Sequence, residues 1–142
     1  PDVVREIKLS KEEIIKKIQE CGIVGLGGAS FPTHIKLTPP PGKVAEYLLI
    51  NGAECEPFLT SDYRLMLEQP EQVLIGAKIM MKALDVTKCR FGVEENKPEA
   101  IAKLKTFACF GTLFGMFMYL LQASPLPSKQ RHIGFYAGFR AL

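Results

Sequence analysis

An α/β sheet with helices on its faces is the fold that the order of elements in this chain predicts. Three observations carry that reading. Tyr47 to Ile50, a short apolar run bounded by polar residues, has the composition of a buried strand, and Lys88 to Val93 reads as a second strand ending at Glu94, Glu95 and Asn96. Around them, apolar residues recur at helical spacing, so the chain reads helix, strand, helix pair, strand, helix. Glycine and proline gather at the joints, above all in Gly22 to Pro32 and Pro39 to Gly42. The 142 residues suffice for one domain with a real core and no more than one.

Residues 1–8 read as an extended lead-in. Ser10 and Glu13 form a capping box, Ile14, Ile15 and Ile18 supply an apolar face, and the helix is expected to reach Cys21 and stop at Gly22. Leu37 to Gly42 is a stiff proline-rich loop. Tyr47 to Ile50 is expected to be a parallel strand, followed by a short helix capped by Thr60, Ser61 and Asp62 that runs to about Gln69. Pro70 opens a longer helix to about Leu84, with Val73, Leu74, Ala77, Ile79, Met80, Met81 and Leu84 on its apolar side. The methionines are read as packing. The second strand covers Lys88 to Val93, and Lys97 and Pro98 start a helix through about Lys105.

The chemistry is concentrated between the first helix and the first strand. Four glycines, Gly22, Gly25, Gly27 and Gly28, lie within seven residues, followed by Phe31, Pro32 and Lys36. Glycine carries no Cβ and tolerates positive φ, so successive backbone N–H groups can close on a phosphate. Pro32 and Thr33 read as a helix opening toward the same anion, with Lys36 adding a full charge. The alternative is a helix cap at Gly22 followed by a flexible turn. Lys36 lies eight residues after Gly28, so the P-loop spacing is absent, and the glycines follow a helix where a dinucleotide fingerprint follows a strand. At the end of the first strand come Asn51, Gly52, Ala53, Glu54, Cys55 and Glu56, where open α/β sheets bind ligands. Glu54 and Glu56 fit either an acid/base pair or a solvated acidic turn.

Composition removes several function classes. Charged residues are 23% and the net charge is +3, with no basic run interleaved by aromatics, so no nucleic-acid partner is expected. Cys21, Cys55, Cys89 and Cys109 form no C-x-x-C pair, so neither zinc nor an iron–sulfur cluster is expected on this chain, and the cysteines read as reduced thiols. At Thr106 the character changes. Residues 107–123 carry no charge and the last acidic residue is Glu99. The segment is at the lower limit for a membrane span. It also reads as a buried terminal helix with a loose end, or as the product of a shifted reading frame or an artificial end.

Two stretches together are more specific than either alone. Residues 25–36 (Gly25, Leu26, Gly27, Gly28, Ala29, Ser30, Phe31, Pro32, Thr33, His34, Ile35, Lys36) and 50–57 (Ile50 through Pro57), followed by Asp62 to Met66 and Glu94 to Ile101, closely resemble the C subunit of the Rnf electron-transport complex. The likeness covers about residues 10 to 105. More distantly the chain resembles the flavin-carrying, NADH-oxidising subunit of respiratory complex I. Leu26 stands where that subunit has arginine and Ala53 where it has aspartate, which favours the Rnf branch. Cobalamin reductases of bacterial microcompartments are similar to the same branch.

The resemblance implies a Rossmann-like layered sheet with helices on both faces, here incomplete, that holds FMN and accepts hydride from NADH. By position, Gly25, Gly27, Gly28 and Lys36 would wrap the flavin phosphate and ribityl chain, and Asn51 and Glu54 would contact the flavin from the strand end. Phe31 would stack on NADH and Glu56 would help hold it. Hydride transfer needs no protein acid or base, so no catalytic residue is expected. The parent would carry iron–sulfur clusters and sit with other subunits of a membrane electron-transport complex, peripherally at the cytoplasmic side of the inner (plasma) membrane. Residues 1–105 are expected to be a partial FMN/NADH domain and 106–142 a tail unlike the family. The missing remainder leaves a sheet edge through which copies could pair. Such a chain is not expected to carry complete electron transfer alone; the rival is a non-catalytic α/β module that oligomerises or associates with membrane.

Overall fold

Ser10 fixes the start of the first helix in the computed structural model, which describes residues 6–26, 29–54 and 58–110, without the side chains of residues 109 and 110. In α1 (Lys11–Glu20) the Ser10 hydroxyl accepts the Glu13 N–H at 3.3 Å and the Glu13 carboxylate accepts the Ser10 N–H at 2.7 Å. That bond holds the Glu13 carboxyl below its ordinary value. At the other end Gly22, at φ +63°, donates to Gln19 and Ile23 donates to Ile18, the paired bonds of a glycine-terminated helix. Ile14 and Ile18 turn inward, as their spacing requires.

After a single turn, α2 (Thr33–Lys36), the chain enters β1 (Leu48–Asn51), then α3 (Ser61–Glu68), α4 (Pro70–Leu84), β2 (Cys89–Gly92) and α5 (Pro98–Phe110). The two strands are parallel, in register from Leu48 opposite Cys89 to Asn51 opposite Gly92. A parallel pair needs a crossover, and α3 with α4 provides it. Leu48, Ile50, Cys89 and Phe91 are buried, as a run shielded by helices should be. The expected α/β class is therefore observed, with a two-stranded sheet among the described residues.

α4 is the hub, touching α1, α3, α5 and β1. Val73, Leu74, Ala77, Met80 and Leu84 are buried on it as expected; Ile79 and Met81 are only partly covered, and Ala83 is fully buried. A two-stranded sheet has little stability of its own, so these helical side chains supply most of the core. α5 runs to Phe110, five residues beyond the expected end at Lys105. The partly buried Phe107 continues its packed face, which extends the helix past the change in composition at Thr106. Most of the apolar segment 107–123 lies outside the described residues; within them no helix is long and apolar enough to cross a membrane.

Burial separates the two thiols that are described. Cys21 is exposed, whereas Cys89 is fully buried in β2, and that burial pushes its thiol up to about 12. Brief alkylation of the folded chain at neutral pH, mapped by mass spectrometry, is expected to label Cys21 and spare Cys89. Equal labelling of both would contradict the packing of β2.

Candidate functional site

The described arms of the glycine-rich stretch, on either side of Gly27 and Gly28, pair as a hairpin. Val24 pairs with Pro32 in an antiparallel bridge, Gly25 N–H donates to the Phe31 carbonyl at 2.8 Å, and Thr33 N–H donates to the Ile23 carbonyl at 3.0 Å. The chain then makes the single turn of α2, which returns Lys36 over the hairpin. A Cβ at Gly25 would lie 2.6 Å from the Lys36 ammonium, and that ammonium stands 5.8 Å from the centre of the Phe31 ring. Three residues singled out by sequence, Gly25, Phe31 and Lys36, thus meet in one place.

Two expectations about this place change. The Gly25 amide is committed to Phe31 and is not a free donor for an anion. What Gly25 contributes is the absence of a side chain, without which the ammonium could not lie there. Pro32 sits at the N-cap of α2 with no side-chain bond, and a four-residue helix aligns too few peptide dipoles for a strong positive end. The local positive charge therefore rests on Lys36. Ile23, Leu26, Phe31 and Ile35 are each about half exposed along the hairpin and its following turn, which gives a planar ring apolar surface to cover. Gly27, Gly28 and Glu56 lie outside the described residues.

The second group lies beyond the carboxyl ends of the strands. Asn51 closes β1 with its side-chain oxygen accepting the Ala53 N–H at 3.1 Å, a local turn that asparagine favours. Gly52 packs tightly: a Cβ there would lie 3.2 Å from the Met66 sulfur and 3.3 Å from the Gly92 carbonyl oxygen, closer than ordinary contact. Glu54 then turns inward. One carboxylate oxygen accepts the Asp62 N–H at 2.8 Å, and the other, buried and without a hydrogen-bond partner, lies 3.9 Å from the Lys97 ammonium.

This arrangement corrects the expected cap of α3. Thr60 makes no side-chain cap bond. Its place is taken by Glu54, whose negative charge suits a helix N-terminus. The sequence alone does not single out Lys97, Tyr63 and Glu99 as site residues. Lys97 lies 4.7 Å from the centre of the Tyr63 ring, and the Tyr63 hydroxyl donates to Glu99 at 3.0 Å. That bond to a carboxylate raises the Tyr63 phenol above its ordinary value. A lysine directly before a helix that starts at Pro98 was the available signal, because serine, threonine, aspartate or asparagine normally stands there.

The residues present fit a phosphate-bearing cofactor in two respects. The hairpin holds a cation over a glycine beside an aromatic ring, and Glu54 keeps a buried oxygen that still lacks a donor.

The chain is 53% identical over 98 residues to the C subunit of the proton-translocating ferredoxin:NAD(+) oxidoreductase complex of Clostridium ljungdahlii, covering 69% of this chain and 21% of that protein. It is 50% identical over 96 residues to the C subunit of the Na(+)-translocating ferredoxin:NAD(+) oxidoreductase complex of Acetobacterium woodii, with 68% and 22% covered. With the C subunit of the ion-translocating oxidoreductase complex of Haemophilus influenzae it shares 47% identity over 98 residues, covering 69% and 15%. The chain therefore spans about a fifth or less of the length of these relatives. In structure it is similar to a chain of an NAD+-reducing NiFe hydrogenase in the air-oxidised state, with a TM-score of 0.60, 22% identity, and coverage of 80% of this chain and 20% of that one. At that identity the likeness speaks for the fold alone. The Nuo51 FMN-binding domain matches over residues 18–109, a span that holds the hairpin, the strand ends and Lys97, and the chain belongs to that family.

Proposed function

We propose that this chain is the FMN-binding portion of an oxidoreductase subunit that takes hydride from NADH and sends electrons onward within a membrane-associated complex. The observation that supports it is the meeting of Gly25, Phe31 and Lys36 in one hairpin inside the family match. Bound FMN would supply the redox chemistry, accepting a hydride as an electron pair and releasing electrons singly. The protein's share is binding, orientation and shielding.

Lys36 neutralises the flavin phosphate, and the missing Cβ of Gly25 lets it approach. Gly27 and Gly28 are assigned to the same phosphate and ribityl contact. Asn51 and Glu54 contact the flavin from the strand end; Phe31 and Glu56 hold the nicotinamide dinucleotide, Phe31 by offering an exposed ring face. None of these groups needs to move a proton. Iron–sulfur clusters, the electron acceptor and the membrane partners belong to parts of the parent beyond these residues, on the cytoplasmic face of the plasma membrane.

Anaerobic titration of the chain with FMN, followed by NADH, tests the reading. Quenching of flavin fluorescence on binding and bleaching of the bound flavin's visible band by NADH are expected. A folded chain that leaves FMN fluorescence unchanged would overturn the binding claim, and a bound flavin that NADH does not bleach would remove the hydride step.

A further inference from the structure

Lys97 occupies a position that helix stability does not explain. Its carbonyl accepts the Ile101 N–H at 3.2 Å, which makes it the N-cap of α5. A cation there faces the positive end of the helix, and lysine has no side-chain oxygen to cap it. The side chain is also only 20% exposed, although lysine ordinarily stays in water. Two contacts hold it in this costly place, the second braced by a third residue. Its ammonium lies 3.9 Å from the Glu54 carboxylate, whose side chain is 3% exposed, and 4.7 Å from the Tyr63 ring, which is itself tied through its hydroxyl to Glu99 on α5.

Glu54 needs such a neighbour. A buried carboxylate with a single hydrogen bond is expensive, and one of its oxygens has none. The backbone N–H of Asp62 orients one oxygen, and among the described residues the second has the Lys97 ammonium as its charged neighbour and no hydrogen-bond donor.

We propose that Lys97 is a positioning residue, held by Tyr63 and Glu99, that pairs with the Glu54 carboxylate and orients it with one oxygen left to accept a hydrogen bond from the cofactor. The proposal rests on the reading of this region as a flavin site, and it adds a charge relay from α5 to the end of β1. A hydroxyl or ring N–H of the ligand would complete the coordination of Glu54, while Lys97 supplies the charge that makes burying the acid tolerable.

Lys97→Met keeps most of the stem over Tyr63 and removes the charge; Lys97→Arg restores it. Two readouts are taken, the FMN dissociation constant and, without ligand, the Asp62 amide resonance in a nitrogen–proton spectrum. Lys97→Met is expected to weaken FMN binding by about tenfold and to shift the Asp62 amide, with Lys97→Arg bringing both back toward the unmodified chain. Tyr63→Leu, which leaves both charges and removes the ring, gives the same readouts if Lys97→Met does not fold. An Asp62 amide that stays in place when the charge is removed overturns the positioning role. An amide that shifts with FMN affinity unchanged overturns its link to the cofactor. If the unmodified chain binds no FMN, the flavin reading fails, and the amide alone decides whether Lys97 positions Glu54.

Discussion

Lys36→Ala is expected to weaken FMN binding by about 1.5–3 kcal/mol, the range for hydrogen bonds to charged groups, or roughly 10- to 150-fold in dissociation constant. The size follows from the geometry of the hairpin. The Gly25 amide is already bonded to Phe31, and α2 is a single turn, so neither can replace the lost charge. The fold should survive, because the side chain ends over a glycine at a half-exposed edge and not in the core. Gly25→Ala makes a sharper companion test. Its Cβ would fall 2.6 Å from the ammonium, and since that is the tip of a flexible side chain, Lys36 would swing away while the backbone stays. Both variants should lose affinity together with melting temperatures near that of the unmodified chain. Unchanged affinity in Lys36→Ala, measured by flavin fluorescence, would remove this residue from the site.

Leu104→Ala is expected to cost about 2–5 kcal/mol, the range for emptying a fully buried leucine site. Leu104 is completely buried on α5, the helix that packs on both α3 and α4. In a chain whose described sheet has two strands, that loss is a large part of the ~5–15 kcal/mol total of a typical domain. Urea unfolding followed by circular dichroism should give a lower midpoint with an unchanged slope. A cost below about 1 kcal/mol, more typical of a surface position, would mean that α5 is not an integral part of the core.

Local signals were the ones the sequence made legible. The capping box at Ser10 and Glu13, the glycine stop at Gly22, the proline start of α4 and the two strands each depend on near neighbours, and each is found within a residue of its expected place. The hairpin was legible as a site because its glycines, aromatic and lysine are adjacent in sequence, although the sequence did not reveal that Gly25 serves by lacking a Cβ. What stayed hidden depends on contacts between distant residues. The cap of α3 comes from Glu54 on the preceding loop, not from Thr60, and the pairing of Glu54 with Lys97 exists only once β1 and β2 lie side by side. α5 outruns its expected end at Lys105 because tertiary packing of Phe107 outweighs the change in composition at Thr106.

The most direct test of FMN binding at the hairpin and strand ends is to add FMN stepwise to the isotopically labelled chain and follow backbone amide resonances. Shifts are expected to concentrate at Gly25, Phe31 and Lys36 and at Asn51 and Glu54, joined by the glycines between them. Shifts confined to the apolar cavity of about 340 Å³ lined by Ile7, Leu9, Ile18, Ile23, Ile75 and Ile79, or no shifts at saturating FMN, would contradict that placement.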